Sequence, residues 1–229
     1  MEHANIETTL DIYIEINYSK KWVIKTLIVR NGIKEMNHTL NYYNSNAYDF
    51  VSGTVDVAFT EMQDIFLECI PAGGKILDFG CGSGRDTKYF LSKGYEVEAI
   101  DGSEKLCKIA CEYTGIVVKQ MLFEELDDVE EYDGIWACAS ILHVEKKQLP
   151  DILKKMTRAT KKGGFLYASF KYGDFEGVKN KRFFTYLTED SFREIIKEIS
   201  EISVERLWIS ADVRAGRAEE RWLNVILRK

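Results

Sequence analysis

Three glycines in one short segment have the spacing of a ligand-binding turn. Gly80, Gly82 and Gly84 lie in Lys75-Ile-Leu-Asp-Phe-Gly-Cys-Gly-Ser-Gly-Arg-Asp86, directly after the apolar run 76–79. Glycine allows a tight turn and lets a ligand approach where a Cβ would collide. A helix pattern begins at Arg85, and the free N–H groups at a helix N-terminus point towards such a ligand. The segment therefore predicts a cofactor site at the turn.

An aspartate at a fixed distance from the glycines specifies the kind of cofactor. Asp101 ends a second apolar run, 97–100, about 20 residues after the glycines, where an acidic side chain can accept hydrogen bonds from both ribose hydroxyls of a nucleoside. Dinucleotide folds use G-x-G-x-x-G, with the third glycine inside the helix. The pattern here is G-x-G-x-G, preceded by Asp78. These residues together predict a nucleoside site that differs from a dinucleotide site.

Strand and helix patterns alternate around these residues from position 57 onward. Helical periodicity covers about 57–70, 85–93, 104–113 and 146–160, and short apolar runs predict strands at 76–79, 96–100, 116–119, 132–137 and 165–170. A helix over 189–199, with Thr188 as its N-cap, precedes two closely spaced strands at 203–210 and 222–228. We expect an α/β fold: a Rossmann-like, seven-stranded, mostly parallel sheet with an antiparallel C-terminal edge hairpin and helices on both faces.

The motifs resemble those of a known enzyme family. The segment 76–86, Ala99-Ile-Asp-Gly-Ser103 and the run 132–144 are similar to motifs of the class I S-adenosylmethionine-dependent methyltransferases. The form Gly-Cys-Gly-Ser-Gly-Arg-Asp is similar to that of the tellurite-resistance and thiopurine-type branch, which acts on small molecules. The resemblance covers roughly residues 40–229. It implies S-adenosyl-L-methionine as cofactor and an enzyme that transfers its methyl group.

The resemblance also implies a set of cofactor contacts. Tyr42 to Phe50 looks like the Y-x-x-x-A-x-x-Y helix that lies over the cofactor in many relatives, although its aromatic residues could equally be core. Many relatives have an aspartate for the adenine amine where this chain has Met121 and Leu122, which leaves adenine to backbone groups and apolar contact. The implied contacts are Tyr43, Tyr48, Asp78, Gly80, Cys81, Gly82, Gly84, Asp101, Gly102, Ser103, Met121, Phe123 and Cys138.

No residue is identified as the catalytic base. His143 and Tyr172 are candidates at the carboxyl ends of strands, but a histidine at this place in relatives often only braces the following helix. Arg85 and Arg214 could hold an anionic acceptor or could be solvated surface. The three histidines are far apart in the sequence, and no zinc spacing, Walker loop or Gly-x-Ser-x-Gly motif is present, so we predict no metal site.

Composition limits the partners. The net charge is −6 without long single-sign runs, which argues against nonspecific binding to nucleic acid. No apolar stretch approaches membrane-spanning length, and the N-terminus lacks the regions of a signal peptide, so we expect a cytoplasmic protein that is a monomer or homodimer. The five cysteines lie mostly in apolar elements, as reduced core thiols do; Cys107 and Cys111 share a helix face, where core packing is favoured.

The function that follows is methyl transfer to a small molecule with a soft nucleophile. Three alternatives stay open at this point: an RNA or protein methyltransferase, a binding protein that holds S-adenosylmethionine without turnover, and a nicotinamide-dependent dehydrogenase, which the glycine spacing and the paired final strands disfavour. The methyltransferase domain is expected at residues 39–229. Residues 1–38 are either an N-terminal extension or an added hairpin, since apolar residues alternate with polar ones from Leu10 to Tyr18.

Overall fold

A computed structural model of the chain describes residues 38–214, 216–217 and 219–229. The possible hairpin between residues 10 and 29 lies outside these residues. Among the residues described, every helix is too short or too polar to traverse a lipid bilayer.

Within this part of the chain, helices and strands alternate as the sequence predicts. The helices are α1 (38–45), α2 (Ala47–Ser52), α3 (Thr60–Leu67), α4 (Arg85–Ser92), α5 (Glu104–Thr114), α6 (Leu149–Ala159) and α7 (Glu189–Ile196). The strands are β1 (Lys75–Phe79), β2 (Glu96–Asp101), β3 (Val118–Gln120), β4 (Tyr132–Ala137), β5 (Thr160–Lys171), β6 (Glu176–Lys179), β7 (Arg182–Thr185), β8 (Ser203–Ala211) and β9 (Arg221–Arg228).

Seven strands form one sheet in the order β3-β2-β1-β4-β5-β9-β8. The strands from β3 to β5 are parallel, whereas β9 is antiparallel to both β5 and β8. The predicted fold is therefore confirmed, including its antiparallel edge. The strand order reverses between β1 and β4, because the chain adds β2 and β3 on one side of β1 and then β4 and β5 on its other side. Ligands of open parallel sheets bind outside the carboxyl ends of strands at such a switch point.

The buried strands explain why apolar runs predicted them. In β1, Ile76 to Phe79 are all buried, because helices cover both faces of a parallel sheet. Trp136 of β4 stacks on Tyr167 of β5 with ring centroids 3.9 Å apart, which fills one of these faces. Cys107 and Cys111 pack between α5 and the sheet, as the sequence predicts, and all five cysteines are free thiols within the described residues.

Helix ends follow local chemistry. Ser103 caps α5 by accepting the Leu106 N–H, and Thr188 caps α7 through Ser191, the latter as predicted. The helix predicted to begin near residue 146 begins instead at Leu149, because Pro150 has no N–H and fits only the first turn.

The hairpin of β6 and β7 is absent from the sequence-based prediction. Its two central residues, Asn180 and Lys181, both have positive φ values of 51° and 64°. This is the geometry of a type I′ turn, which is usually recognised by an Asn-Gly or Asp-Gly pair. Because a lysine stands where glycine is expected, the pattern contains no recognisable turn signal. The hairpin lies beside the cavity described below.

Candidate active site

The glycine loop between β1 and α4 brings bare backbone to the surface of a cavity. Gly80 has a φ of 91° and Gly82 a φ of 55°, which side chains rarely adopt. A Cβ on Gly80 would lie 2.5 Å from Cβ of Ser140, and one on Gly82 would lie 3.1 Å from the Phe50 ring. Both positions therefore require glycine for conformation and for space.

Gly84 has a different role from the first two glycines. A Cβ there would lie 2.7 Å from Thr114 and 3.2 Å from Ala110, both on α5. The residue permits α4 and α5 to pack closely and does not line the cavity. The predicted contact of Gly84 with a cofactor is therefore not supported by its position.

Asp101 joins the tip of β2 to the glycine loop. Its Oδ2 accepts the Gly82 N–H at 2.9 Å and its Oδ1 accepts the Ser103 N–H at 2.8 Å. Burial raises the pKa of Asp101, and the two N–H groups oppose that rise. An ionised carboxylate has about four acceptor sites, so each oxygen retains one towards the cavity. The side chain is thus oriented by the backbone and still able to bind two hydroxyls.

Asp78 and Ser103 support the glycine loop and Asp101, and neither residue lines the cavity. Asp78 is buried and accepts the Thr87 hydroxyl at 2.5 Å. Burial raises the pKa of Asp78, and the neighbouring charge of Asp86 adds to the effect. Ser103 is fully buried as the cap of α5. Both residues are outside the cavity wall and support the loop and Asp101, and their predicted contact with a cofactor stays a prediction.

The cavity has a volume of about 870 Å³ and lies over the carboxyl ends of β1, β2, β4 and β5. Its wall includes the glycine loop and Asp101, and also a region that we call the second chamber, formed by the end of β5, the hairpin of β6 and β7 and the start of β9. Most residues predicted to contact the cofactor lie on its wall: Tyr43, Gly80, Cys81, Gly82, Asp101, Gly102, Met121, Phe123 and Cys138. The sequence-derived set is thus largely brought together.

Tyr48 is placed differently from the prediction. Its side chain is 68 % exposed, with Lys105 Nζ 4.9 Å from the ring centroid, and it does not line the cavity. Tyr43 and Phe50 line the cavity instead, with their ring centroids 5.1 Å apart. Asn46 separates α1 from α2, so one helical period does not relate Tyr43 to the residues of α2.

The cavity wall beside Asp101 is apolar after β3, where the resemblance places adenine. Met121 and Phe123 line it, and the Phe123 ring lies 4.8 Å from that of Phe79. A Cβ on Gly102 would lie 2.7 Å from Leu40, so α1 packs directly against the backbone here. These contacts fit the expectation of apolar recognition without an aspartate.

Arg85 and Asp86 form a buried pair on the cavity wall. Arg85 Nε donates to Asp86 Oδ1 at 2.7 Å and its Nη2 donates to Oδ2 at 3.0 Å. Asp86 also accepts hydrogen bonds from Gln63 and from the Trp136 indole. The sequence analysis left Arg85 as an anion-binding residue or solvated surface. The structure instead fixes it as a neutralised part of the wall.

Cys138 lies beside this pair. Its Sγ is 4.0 Å from Nη2 of Arg85 and 3.9 Å from Oγ of Ser169. Burial raises the pKa of the Cys138 thiol, and the charge of Asp86 adds to the rise. The thiol is therefore protonated at neutral pH, and the residue contributes shape to the cavity.

His143 uses both ring nitrogens within the protein. Nδ1 lies 2.5 Å from the Phe183 carbonyl oxygen, and Nε2 lies 2.8 Å from the Tyr43 hydroxyl. Because a carbonyl can only accept, Nδ1 donates and Nε2 accepts from Tyr43. Burial lowers the pKa of His143 to about 4, with the Phe183 carbonyl opposing that shift and the charge of Arg182 adding to it. The ring therefore connects α1 to the hairpin. This favours a structural role for His143 over a role as catalytic base.

Tyr172, the other candidate base, lies at the rim of the cavity. Its side chain is 36 % exposed, and its hydroxyl donates to Glu189 at 2.9 Å. This hydrogen bond raises the pKa of Tyr172. The hydroxyl is therefore poorly suited to accept a proton at neutral pH.

Comparisons with known proteins agree with this geometry. Residues 76–164 match a family model described as a methyltransferase domain. An uncharacterized methyltransferase of Staphylococcus carnosus strain TM300 is 29 % identical over 152 residues, which cover 60 % of this chain and 73 % of that protein. A probable S-adenosyl-L-methionine-dependent methyltransferase, TehB of Haemophilus influenzae strain 10810, is 28 % identical over 40 % of this chain, and the match spans only 34 % of TehB.

A solved structure resembles nearly the whole chain in fold. The 1,6-didemethyltoxoflavin-N1-methyltransferase of Burkholderia thailandensis, crystallised with 1,6-didemethyltoxoflavin and S-adenosylhomocysteine, superimposes with a TM-score of 0.70. The comparison covers 97 % of this chain and 98 % of that one, at 19 % sequence identity. At this identity the likeness is one of fold.

Proposed function

Because the chain is a class I S-adenosylmethionine-dependent methyltransferase, we propose that it methylates a small molecule whose acceptor atom is a soft nucleophile. One observation carries the proposal: the cavity that is lined by the glycine loop and Asp101 also includes the second chamber, whose wall contains residues of the hairpin of β6 and β7. A volume of about 870 Å³ lies within the range of pockets that enclose small ligands.

The cavity wall fits the cofactor at one end. In this proposal Asp101 binds the ribose hydroxyls through its remaining acceptor sites, and the backbone at Gly80 and Gly82 contacts the amino-acid part. Met121 and Phe123 pack against adenine. When bound, S-adenosylmethionine supplies a methyl group on a positively charged sulfur, so that the acceptor lone pair forms the new bond while the carbon–sulfur electron pair stays on sulfur. The protein has to align the acceptor and keep water out.

The state of the polar groups supports a soft acceptor. Among the described cavity residues, both nitrogens of His143 are engaged, the Tyr172 hydroxyl is bound to Glu189, and the Cys138 thiol is protonated. An oxygen acceptor would need a base to remove its proton. A thiolate, a chalcogen anion or a neutral amine would not. The toxoflavin methyltransferase, which is named for methylation at N1, is a neighbour in fold whose acceptor is a nitrogen.

The test has two stages. Calorimetry should first detect binding of S-adenosylmethionine to the folded protein. The protein is then incubated with the cofactor and with thiophenol, 2-mercaptobenzoate, selenite, benzylamine or bulk tRNA, and S-adenosylhomocysteine is measured by mass spectrometry. We expect its release with one of the small molecules. Release only with tRNA, or with a protein extract, would exclude the small-molecule proposal. If no acceptor of any class leads to release of S-adenosylhomocysteine, a protein that holds the cofactor without using it is favoured.

A further inference from the structure

The second chamber of the cavity is lined by basic side chains, most of which are already neutralised. Arg85 is bound to Asp86, Lys171 to Glu220 and Arg214 to Asp212. The Arg214 guanidinium makes two hydrogen bonds to the Asp212 carboxylate, one of 2.9 Å from Nε, and the Trp222 indole also donates to that carboxylate. Arg85 and Arg214 are therefore unsuited to bind an external anion.

Arg182, at the start of β7, is a half-buried member of this wall without such a partner in the described part of the chain. Other cations of the wall that also lack one there are exposed, namely Lys179 and Arg221. The Arg182 guanidinium carbon lies 4.5 Å from the Tyr42 ring centroid, 5.7 Å from that of Tyr43 and 5.1 Å from that of Phe184. Among the residues that the structure describes, no carboxylate lies within salt-bridge distance of it. Its Nε is buried without a hydrogen-bond partner, and Nη1 makes only a long contact of 3.4 Å to the Tyr43 hydroxyl.

The three rings hold the guanidinium but do not satisfy its donors. A cation is attracted to the face of an aromatic ring. The five N–H groups of arginine point outward in the guanidinium plane and require acceptor oxygens. A buried donor without a partner is costly, and a planar oxyanion satisfies two such donors at once. The side chain is thus fixed in place with its hydrogen-bonding edge unmatched.

Arg182 lies near both the second chamber and the glycine loop. It comes from the hairpin that lines the second chamber, and it contacts Tyr43, which is bound to His143 after β4. The Tyr43 ring also lies 5.1 Å from that of Phe50, which packs beside Gly82, so Arg182 is within two ring contacts of the glycine loop.

We propose that Arg182 binds an anionic group, a carboxylate or a related oxyanion, carried by the methyl acceptor. This inference rests on the proposed function and specifies its substrate class. The carboxylate of the cofactor itself has the same chemistry, so the experiment has to distinguish the two sources.

Calorimetry on the full chain saturated with S-adenosylhomocysteine makes this distinction. Benzoate, selenite and phosphate serve as anionic probes, and benzamide serves as the neutral isostere of benzoate. We expect at least one anion to bind, and benzoate to bind more tightly than benzamide. Arg182→Gln should weaken anion binding by about tenfold or more, as the loss of a charged hydrogen bond does. Arg182→Lys should restore it in part, because it keeps the charge without the planar fork.

The matched control is Lys181→Gln, which removes an exposed charge from the same turn, outside the cavity wall. It should leave anion binding unchanged, and circular dichroism should confirm that every variant is folded. Equal binding of benzoate and benzamide, unchanged anion binding in Arg182→Gln, or no binding of any anion would overturn the inference. A tenfold loss of S-adenosylmethionine affinity in Arg182→Gln, with anion binding unaffected, would assign the residue to the cofactor instead. Failure of the wild-type protein to bind S-adenosylmethionine would refute the proposed function separately.

Discussion

The hydroxyl of Tyr43 donates a hydrogen bond of 2.8 Å to Nε2 of His143, which joins α1 to the turn after β4. The same histidine donates from Nδ1 to the Phe183 carbonyl, while the Phe183 N–H donates to the Thr39 hydroxyl at 2.9 Å. One residue of β7, Phe183, is thereby connected to α1 by two routes. The cover of the cavity is held by a few polar contacts at its edge.

Tyr43→Phe tests how much this connection stabilises the fold. The substitution removes the bond to His143 and the long contact to Arg182 but keeps the ring, and it leaves Nε2 of His143 without its donor. We expect the free energy of unfolding, measured by urea denaturation, to fall by about 1 kcal/mol. Tyr48→Phe is the control, because Tyr48 is 68 % exposed and should change stability by less than about 0.5 kcal/mol. Equal effects of the two substitutions would contradict the proposed connection.

Asp101→Asn tests the nucleoside contact. The amide keeps the size of the carboxylate but places an NH₂ group against the N–H of Gly82 or of Ser103, and it offers fewer acceptor sites to a ribose. We expect S-adenosylmethionine affinity, measured by calorimetry, to fall by about 1–3 kcal/mol. Glu104→Gln, an exposed neighbour at the start of α5, should leave the affinity unchanged. If both variants bind the cofactor like the wild type, Asp101 does not hold it.

Gly80→Ala tests the close approach at the loop. The methyl group would meet Ser140 at 2.5 Å in a backbone with a φ of 91°. Gly115→Ala is a matched control, since Gly115 has a φ of 82° and open space around the added Cβ. Both substitutions should lose about 1 kcal/mol from the backbone conformation. Gly80→Ala should lose a further amount of about 1–3 kcal/mol from overpacking. Thermal and urea denaturation measure the difference, and similar losses would show that the loop adjusts without cost.

The lowered pKa of His143 predicts how the free energy of unfolding depends on pH. Burial lowers the pKa of the ring from 6.5 to about 4, so the unfolded chain takes up a proton at a higher pH than the folded protein. The free energy of unfolding should therefore decrease as the pH falls from about 6.5 towards 4. The free energy of unfolding should be lower by about 1 kcal/mol at pH 5 than at neutral pH. The effect is no larger because the ring is only partly buried at the cavity wall.

The contribution of His143 can be isolated by substitution. In His143→Gln the decrease between these pH values should be shallower than in the wild type, as measured by urea denaturation without cofactor. His38→Gln removes an exposed histidine and should leave the profile unchanged. A wild-type pH profile retained in His143→Gln would mean that other groups cause the decrease.

Local patterns were sufficient to determine the sheet and one end of the cavity. The glycines at 80 and 82 could be recognised because their conformation depends on the neighbouring residues alone, and Asp101 because it ends an apolar run at a set distance from them. The paired strands β8 and β9 followed from two adjacent apolar runs. Tyr48 was selected as if residues 42–50 formed one helix, whereas Asn46 separates α1 from α2 and Tyr48 lies away from the cavity wall.

The arrangement of side chains in the second chamber depends on contacts between residues that are distant in the sequence. Asp86 binds Gln63 and Trp136, and His143 binds Tyr43 and Phe183, and no spacing rule connects these partners. Whether an arginine is neutralised depends on which carboxylate the fold brings beside it. The sequence therefore presented Arg85 and Arg214 as candidates. Tertiary structure paired both and placed Arg182 against three rings, with its Nε unpaired within the described residues. The sequence did not predict this, because the turn that places β7 there lacks a local signal.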